Sequence, residues 1–423
     1  MLRAAVTLIS GTGAAQVVAI AASPLLTRLY SPGEFGAFAA AAAIVGILVT
    51  VACLAYDYAI PLPQSDATAA DVAAIALLAT LATSLVTAVM LSLVGSSILA
   101  SVDAAALYPY VLLLALGQFA GGAVSTMSAW AVRTTTYAAI ALNRLTQGLS
   151  TVGLQLLLGV LGAGVLGLLL GLVIGSLAGL MRLARSAWQR NAADFSAVTW
   201  NGVRAVAVRY RRFPLLALPS NLLNGVSLQA PLLLVAALFE ASVAGQFALA
   251  QRVIALTPTL VANAVSQAFL GEASRVARED QRQLRPLFAR TTRTLAVAAI
   301  LPVVAVAAVS PAVFGVVFGT EWQHAGLYVT LLAPMYYLQF VTNPTAPILD
   351  ILERQDLFLA GEVARLVLLG LVVASSVAFG LDDLAAIALV SAAGCAAYAL
   401  KGLLSYHAIL MASSGDRVAA RRM

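Results

Sequence analysis

The feature that most constrains this chain is a series of apolar segments, each long enough to cross a lipid bilayer. A transmembrane helix needs about 20 apolar residues to span a hydrocarbon core about 30 Å thick. Because only helices and closed barrels satisfy the backbone inside lipid, we predict an all-α, polytopic membrane protein. By this criterion the sequence predicts about twelve spans: Val6–Thr27, Phe35–Leu54, Val72–Val94, Tyr108–Val132, Tyr137–Leu161, Gly164–Met181, Pro214–Phe239, Gly245–Leu270, Leu295–Val317, Tyr328–Leu352, Leu357–Phe379 and Leu384–Leu410.

The composition supports this interpretation. Only 10% of the residues are charged, whereas a soluble domain carries about 25%. Cys53 and Cys395 both lie in apolar segments, so we predict neither a disulfide framework nor a cysteine metal site. The apolar run after Arg3 continues past Pro24 without a convincing cleavage site. We therefore interpret it as the first span and not as a signal peptide.

The basic residues are distributed unevenly between the two sides of the predicted membrane. The most basic stretch, Met181 to Phe213, carries seven arginines and lies between apolar segments. Its position favours a cytoplasmic connector over a nucleic-acid patch. With the N-terminus in the cytoplasm, the inside segments collect about nineteen basic residues and the outside segments about one, Arg28. We therefore predict that both termini are cytoplasmic.

The connector divides the chain into two halves that resemble each other. Ser23 to Leu26 recurs as Ala230 to Leu233, and Phe35 to Ala39 recurs as Ala244 to Ala248. We predict a parallel six-plus-six repeat, of the kind in which transporters bind substrate between the halves. The predicted parts are an N-terminal lobe at 1–181, the connector at 182–212, a C-terminal lobe at 213–411 and a basic cytoplasmic tail at 412–423.

Four basic residues lie inside the predicted spans, and Arg28 lies at the end of the first. Insertion scales put the cost of each such charge at about 2.5–3.5 kcal/mol at the bilayer centre. Each charge must therefore reach an interface or line a wet cavity. Snorkelling is an equal alternative for Arg365 and Lys401, and Glu362 could form a local ion pair with Arg365. The four residues are Arg144, Arg252, Arg365 and Lys401.

Polar side chains follow three of the predicted spans, and two of these spans also carry an arginine. Asn, Gln and Ser also join helices without any substrate, which is the structural alternative for each residue alone. Taken together, the stripes favour a cationic cavity for an anionic head group, because arginine binds phosphate oxygens bidentately. Beside Arg252 lie Thr259, Asn263, Ser266 and Gln267; beside Arg144 lie Asn143, Gln147, Ser150 and Gln155; the seventh span adds Ser220, Asn221, Asn224, Ser227 and Gln229. The predicted substrate-binding residues are Arg28, Arg144, Arg252, Arg365, Lys401, Asn224 and Asn263.

The sequence predicts a transporter and not an enzyme. His324 and His407 have no partner at ligand or triad spacing, and no segment outside the spans is long enough for a catalytic domain. We predict no cofactor and no metal. Asp57 and Asp350 are candidates for proton or sodium coupling, although a helix-end charge is the plainer explanation for both.

A set of short motifs extends in order from about residue 5 to about residue 405. They are Pro24 to Gly36, Tyr210 to Pro214, Leu218 to Ser220 with Asn224, Gly245 to Val253, Glu272 to Arg275, Phe318 to Trp322 and Leu352 to Gln355. In this combination the chain resembles the Wzx-type polysaccharide flippases of the multidrug/oligosaccharidyl-lipid/polysaccharide exporter superfamily. The resemblance implies a V-shaped pair of six-helix lobes in the bacterial inner membrane. It also implies that undecaprenyl-pyrophosphate-linked oligosaccharide moves to the periplasmic leaflet by alternating access.

Two alternatives remain open at this point. A multidrug antiporter of the same superfamily would suit an acidic and aromatic cavity, whereas the charge inside these spans is basic. A membrane-embedded polymerase or glycosyltransferase would need a large outer loop with catalytic residues, which the predicted topology lacks. The expected partners are the lipid-linked oligosaccharide, membrane lipids, and a polymerase and chain-length regulator of the same pathway. No nucleic-acid partner is expected, and the glycan, whether O-antigen, capsule or exopolysaccharide, is left open.

Overall fold

The computed structural model describes the backbone of residues 2–100 and 105–420, and most side chains between residues 11 and 412. Every regular element in these ranges is a helix, which confirms the predicted all-α class. The α-helices, in chain order, are α1 (Leu2–Ala21), α2 (Ser23–Leu29), α3 (Pro32–Ala52), α4 (Asp66–Ala100), α5 (Val111–Arg133), α6 (Tyr137–Val160), α7 (Gly164–Ser196), α8 (Trp200–Arg209), α9 (Leu218–Leu238), α10 (Ala241–Ile254), α11 (Leu256–Glu279), α12 (Leu284–Phe318), α13 (Gln323–Thr342), α14 (Ile348–Ile351), α15 (Gln355–Phe379) and α16 (Asp383–Ala420).

Eight helical segments in the described ranges are long and apolar enough to cross a membrane, and a shorter apolar helix covers Gly13–Leu29. A multi-pass membrane protein is therefore confirmed, while the count of twelve spans and the cytoplasmic termini stay predictions. The eight segments are Pro32–Ala52, Asp66–Gly95, Leu107–Arg133, Gly164–Ser196, Phe213–Leu238, Gln281–Phe318, Gln355–Phe379 and Asp383–Ala412.

Some predicted spans are broken into two consecutive helices. The first is interrupted between α1 and α2 at Ala22, and the eighth between α10 and α11 at Ala255. Pro24 and Pro258 lie in the first turns of α2 and α11. Proline is tolerated there because its missing N–H would have no partner inside the helix. Hydropathy does not register such breaks, since both fragments remain apolar.

The segment that we interpreted as a cytoplasmic loop is helical over most of its length. α7 continues through it to Ser196, and α8 follows after three residues. The Thr199 side chain caps α8 by accepting a hydrogen bond from the Gly202 N–H at 3.1 Å. Val203 and Val206 are buried, and α8 packs against α4. The basic composition of the segment does not prevent helix formation, and its position on the cytoplasmic side stays a prediction.

The chain forms two compact units, Met1–Ala248 and Leu249–Met423. In the first unit, α6 packs on α1 and α7, while α5 packs on α4 and α7. In the second unit, α13 packs on α12 and α16, and α15 packs on α16. The predicted boundaries between lobes, connector and tail stay predictions.

The two glycines of the sequence repeat contact each other's helices within the first unit. A Cβ atom at Gly36 would lie 1.7 Å from the Ala241 carbonyl oxygen. A Cβ atom at Gly245 would lie 1.9 Å from the Pro32 carbonyl oxygen. Each carbonyl is four residues before the other glycine, so the contact is reciprocal, as expected for repeated surfaces that pack on each other. Only glycine permits this approach of α3 and α10.

The motif before this crossing has a local structural role. The Ser31 side chain accepts a hydrogen bond from the Glu34 N–H, and the Glu34 carboxylate accepts one from the Ser31 N–H at 2.8 Å. This capping box, with Pro32 at the first helical position, fixes where α3 begins. It thereby places Gly36 at the crossing with α10.

Candidate functional site

The polar stripe of α6 faces α7. The Gln147 side chain donates to the Ser176 hydroxyl at 2.9 Å, and the Gln155 side chain donates to the Leu168 carbonyl oxygen at 3.0 Å. For Gln147 and Gln155 the structural alternative therefore holds, because they join two helices. Asn143 is buried beside them, and its side-chain amide has no hydrogen-bond partner in the described part of the chain.

The opposing face of α7 is a row of glycines spaced four residues apart, Gly167, Gly171, Gly175 and Gly179. A Cβ atom at Gly175 would lie 2.0 Å from the Thr151 hydroxyl oxygen. At Gly179 it would lie 2.3 Å from the side-chain oxygen of Asn143. Small residues at this spacing allow helices in a membrane to approach closely, so the signal was present in the sequence.

The two basic candidates of the first unit lie apart from this stripe. Arg28 is exposed in the last turn of α2, and Arg144 is exposed on α6 beside the buried Asn143. Among the described side chains, neither forms a salt bridge. Their assignment as substrate-binding residues stays a prediction.

The remaining polar candidates occupy different environments. Asn224 is exposed on α9, whereas Gln229 and Gly225 of the same helix approach Gly46 and Thr50 of α3. The side chains of Thr259 and Asn263 lie outside the described residues.

Arg252 lies partly buried in the last turn of α10. Its predicted role in substrate binding likewise stays a prediction.

Two of the predicted basic residues come together in the second unit, in a group that we call the Lys401 cluster: Phe358, Glu362 and Arg365 of α15, with Tyr398 and Lys401 of α16. The Lys401 Nζ lies 3.8 Å from the Glu362 Oε1 and 5.4 Å from the centroid of the Phe358 ring. The Arg365 Cζ lies 5.5 Å from the centroid of the Tyr398 ring. Leu357, Gly361 and Ala397 complete the wall of a small pocket around these five side chains.

The cluster rules out the alternative in which Glu362 forms a local ion pair with Arg365. Its ion-pair partner is Lys401 of the neighbouring helix, and no salt bridge with Arg365 occurs among the described side chains. Glu362 is buried, with 6% of its surface exposed. Its second oxygen, Oε2, has no hydrogen-bond partner within the described part of the chain. Hydropathy and helical spacing could suggest only a partner on the same helix, so the pairing with α16 was missed.

Other polar groups surround the cluster. Asp350, exposed near the end of α14, adds its charge to those of Glu362 and Arg365 acting on Lys401. The buried Tyr336 of α13 lies within electrostatic reach of Arg365 and Tyr398. The cluster therefore holds two cations and one buried carboxylate, with a second carboxylate at its edge. Because Asp350 is exposed to solvent, the inner part of the cluster carries one more cation than carboxylate, and this excess favours an anion over a cation.

The candidates for ion coupling are placed separately. The Asp57 carboxylate, in a short 3₁₀ helix after α3, accepts a hydrogen bond from the Ser125 hydroxyl at 2.7 Å. Asp350 instead lies beside the Lys401 cluster. Coupling through either residue stays a prediction. Among the described residues, no group of three or more His, Cys, Asp or Glu side chains could hold a metal ion.

Comparison with known proteins gives one family and several solved structures of similar fold. The model of a family described as polysaccharide biosynthesis protein matches residues 25–326. A search of curated proteins finds no match.

Among solved structures, the lipid II flippase MurJ in an inward closed conformation aligns with a TM-score of 0.74 at 11% identity, covering 98% of this chain and 91% of that one. An inward-facing multidrug resistance MATE family transporter of the MOP superfamily aligns with a TM-score of 0.68 at 15% identity, covering 96% and 95%. A mutant of the Vibrio cholerae MATE transporter VcmN aligns with a TM-score of 0.59 at 12% identity, covering 95% of both chains. At these identities the likeness concerns the fold, which is shared by transporters and a flippase.

Proposed function

The chain belongs to the polysaccharide biosynthesis protein family, and from that premise we propose that it is a flippase for lipid-linked oligosaccharides. Its substrate is an oligosaccharide repeat unit on undecaprenyl pyrophosphate, carried from the cytoplasmic to the periplasmic leaflet of the inner membrane by alternating access. The observation that carries this proposal is the Lys401 cluster, in which Arg365 and Lys401 lie inside apolar helices and line one pocket with a single buried carboxylate.

The chemistry of the cluster suits a pyrophosphate group. Lys401 offers three N–H donors and Arg365 a planar fork of donors, and both line a pocket between apolar helices. The Tyr398 ring holds the Arg365 guanidinium beside the pocket, and the Phe358 ring holds the Lys401 ammonium there, through cation–π contacts. A pyrophosphate that contacts both cations would be held by its charge and would leave the sugar chain free to vary.

The multidrug antiporter is the second candidate, because MATE family transporters share the fold. Such a function would require a site that attracts organic cations. The Lys401 cluster has the opposite balance of charge, since its single buried carboxylate already has a lysine partner. We therefore favour the lipid-linked anion.

The test of the proposed function locates the substrate in the host that carries the gene. After deletion of the gene, lipid-linked oligosaccharides are extracted, and a lectin is applied to right-side-out spheroplasts to report which repeat units face outward. We expect full-length repeat units to accumulate while remaining hidden from the lectin. Restoration by the wild-type gene on a plasmid is the control.

Two other outcomes would contradict the proposal. If single repeat units reach the outer face and only long polymer is missing, the protein acts after translocation, as a polymerase would. If lectin labelling and the amount of polymer are normal in the deletion strain while its sensitivity to cationic dyes rises, the protein is a multidrug antiporter.

A further inference from the structure

The Lys401 ammonium, which the proposed substrate would contact, already forms an ion pair with the Glu362 carboxylate. The inference drawn from it rests on the proposed function and concerns how tightly the site holds its anion. The pair joins α15 to α16, and the Lys401 side chain is only 20% exposed. A ligand anion that contacts Lys401 in this pocket must therefore compete with the Glu362 carboxylate.

The geometry of the pair is that of a loose contact. The distance of 3.8 Å between Lys401 Nζ and Glu362 Oε1 exceeds that of an ordinary hydrogen bond. The other carboxylate oxygen is buried and has no partner among the described residues. A buried carboxylate in this position is costly unless it is fully paired. Its presence is therefore poorly explained by stability alone.

Arg365 is the cation of the pocket that an anion could contact without displacing a carboxylate. Its guanidinium packs over the Tyr398 ring and has no carboxylate within salt-bridge distance in the described part of the chain. Glu362 lies one helical turn before it on α15. An anion could bind Arg365 directly, but reaching Lys401 as well requires the carboxylate to be displaced.

We propose that Glu362 is a built-in competitor for the substrate anion at Lys401. When the pocket is empty, Glu362 neutralises Lys401, and when pyrophosphate binds, Lys401 exchanges the carboxylate for phosphate oxygens. The buried carboxylate then loses its partner, and this loss opposes binding. Glu362 is thus a positioning residue that lowers affinity so that the anion can leave at the outer face.

This role has a consequence that a purely structural ion pair lacks. Removal of the carboxylate charge should tighten anion binding and at the same time slow export, because release of the anion becomes the difficult step. A structural ion pair would instead weaken binding and export together when it is broken.

The test measures binding of farnesyl pyrophosphate to the purified full-length protein in nanodiscs, with farnesol as the uncharged control. For Glu362→Gln we expect binding to be tighter by about tenfold, since one opposing charge is removed. Lys401→Gln should weaken binding by about tenfold. The double variant should bind like Lys401→Gln, because Glu362 acts only through Lys401. Glu362→Asp, whose carboxylate reaches less far, should show a smaller increase in affinity.

Asp356→Asn is the matched control, because it also removes a negative charge from α15, but from an exposed position where the carboxylate pairs with Arg354. It should change the affinity much less than Glu362→Gln does. Size-exclusion profiles and melting temperatures report whether each variant is folded.

Three results would overturn the inference, and they are distinguishable from failure of the proposed function. The first is that Glu362→Gln and Glu362→Asp leave the affinity for farnesyl pyrophosphate unchanged, and the second is that they weaken it. The third is that the double variant binds farnesyl pyrophosphate more tightly than Lys401→Gln does. If the wild type binds the probe and lectin labelling still supports translocation, only the role of Glu362 is wrong. If the wild-type protein does not bind farnesyl pyrophosphate, and repeat units reach the outer face in the deletion strain, both proposals are wrong.

Discussion

Arg365 illustrates at the scale of one residue how an apolar helix carries a charge. Its guanidinium lies over the Tyr398 ring, which offsets part of the cost of burial. We expect Arg365→Gln to lower export by about tenfold or more, because a charge-assisted contact of about 1.5–3 kcal/mol is lost. Arg365→Lys, which keeps the charge, should retain more activity. The measurement is the surface polysaccharide made by a deletion strain that carries each variant.

Arg354 provides the matched control for this prediction. It pairs with Asp356 at 2.8 Å at the beginning of α15, and its side chain is 30% exposed. Arg354→Gln should leave export close to the wild-type level at equal membrane abundance. Equal export by Arg365→Gln would show that Arg365 does not contact the substrate.

Arg133 shows what a count of basic residues leaves out. It is one of the roughly nineteen basic residues that the sequence places on the predicted cytoplasmic side, and its position there predicts no contact. In the structure its side chain pairs with Asp66 at 2.8 Å and donates to the carbonyl oxygens of Ile60 and Pro63. It therefore holds the turn between α3 and α4. Such contacts depend on folding of the turn, so residue type and position could not predict them.

The candidate site was predicted in the same partial way. The basic residues inside spans are visible in the sequence because charge is rare there, and Arg365 and Lys401 do come together. The sequence offered Arg365 as one alternative partner for Glu362 and did not suggest Lys401, because helical spacing reports neighbours on one helix and not on the next. The polar residues of α6 were ambiguous for a related reason. A polar stripe can face either a cavity or another helix, and only the packing of α7 decides.

At the scale of the helical element, the glycine row of α7 controls how closely α6 and α7 approach. A Cβ atom at Gly175 would meet the Thr151 hydroxyl and the backbone around it. We expect Gly175→Ala to destabilise the protein by about 1–3 kcal/mol through overpacking. The measurement is the melting temperature of the purified protein in detergent.

Gly153 of α6 is the matched control, since a Cβ atom there would meet nothing within 4 Å. Gly153→Ala should be neutral or slightly stabilising, because alanine has the higher helix propensity. Equal melting temperatures for the two variants would contradict the close packing of α6 and α7 at this position.

The crossing of α3 and α10 depends on the glycine that each helix contributes to the contact. Gly36→Ala and Gly245→Ala should each lower the melting temperature, because either Cβ atom would collide with a backbone carbonyl that cannot rotate away. The double variant should lower the melting temperature by less than the sum of the two single variants, since one displacement of the helices relieves both collisions. Gly33→Ala, in the first turn of α3 with nothing within 4 Å, is the control. Additive losses would indicate that the two contacts are independent.

At the scale of the whole molecule, the sequence predicted the class of fold more reliably than its topology. Long apolar segments suffice for an all-α membrane protein, because lipid leaves the backbone few alternatives. The number of crossings is less determined, since broken pairs such as α10 with α11 are apolar on both sides of the break. Orientation is a separate property, because it depends on how the arginines are distributed between the two sides of the membrane.

The orientation leads to the last prediction, which concerns the two sides of the membrane. Single cysteines are placed at Ser196, in the basic connector, and at Glu240, between α9 and α10, after Cys53 and Cys395 are replaced by alanine. If the excess of arginines determines topology, a membrane-impermeant maleimide should label Glu240→Cys in intact spheroplasts. It should label Ser196→Cys only in inverted vesicles. Both positions are exposed, so access is limited by the bilayer and not by burial. The reverse labelling pattern would show that the predicted orientation is wrong. Labelling of both positions from one side would show that the segment predicted at Pro214–Phe239 does not cross the membrane.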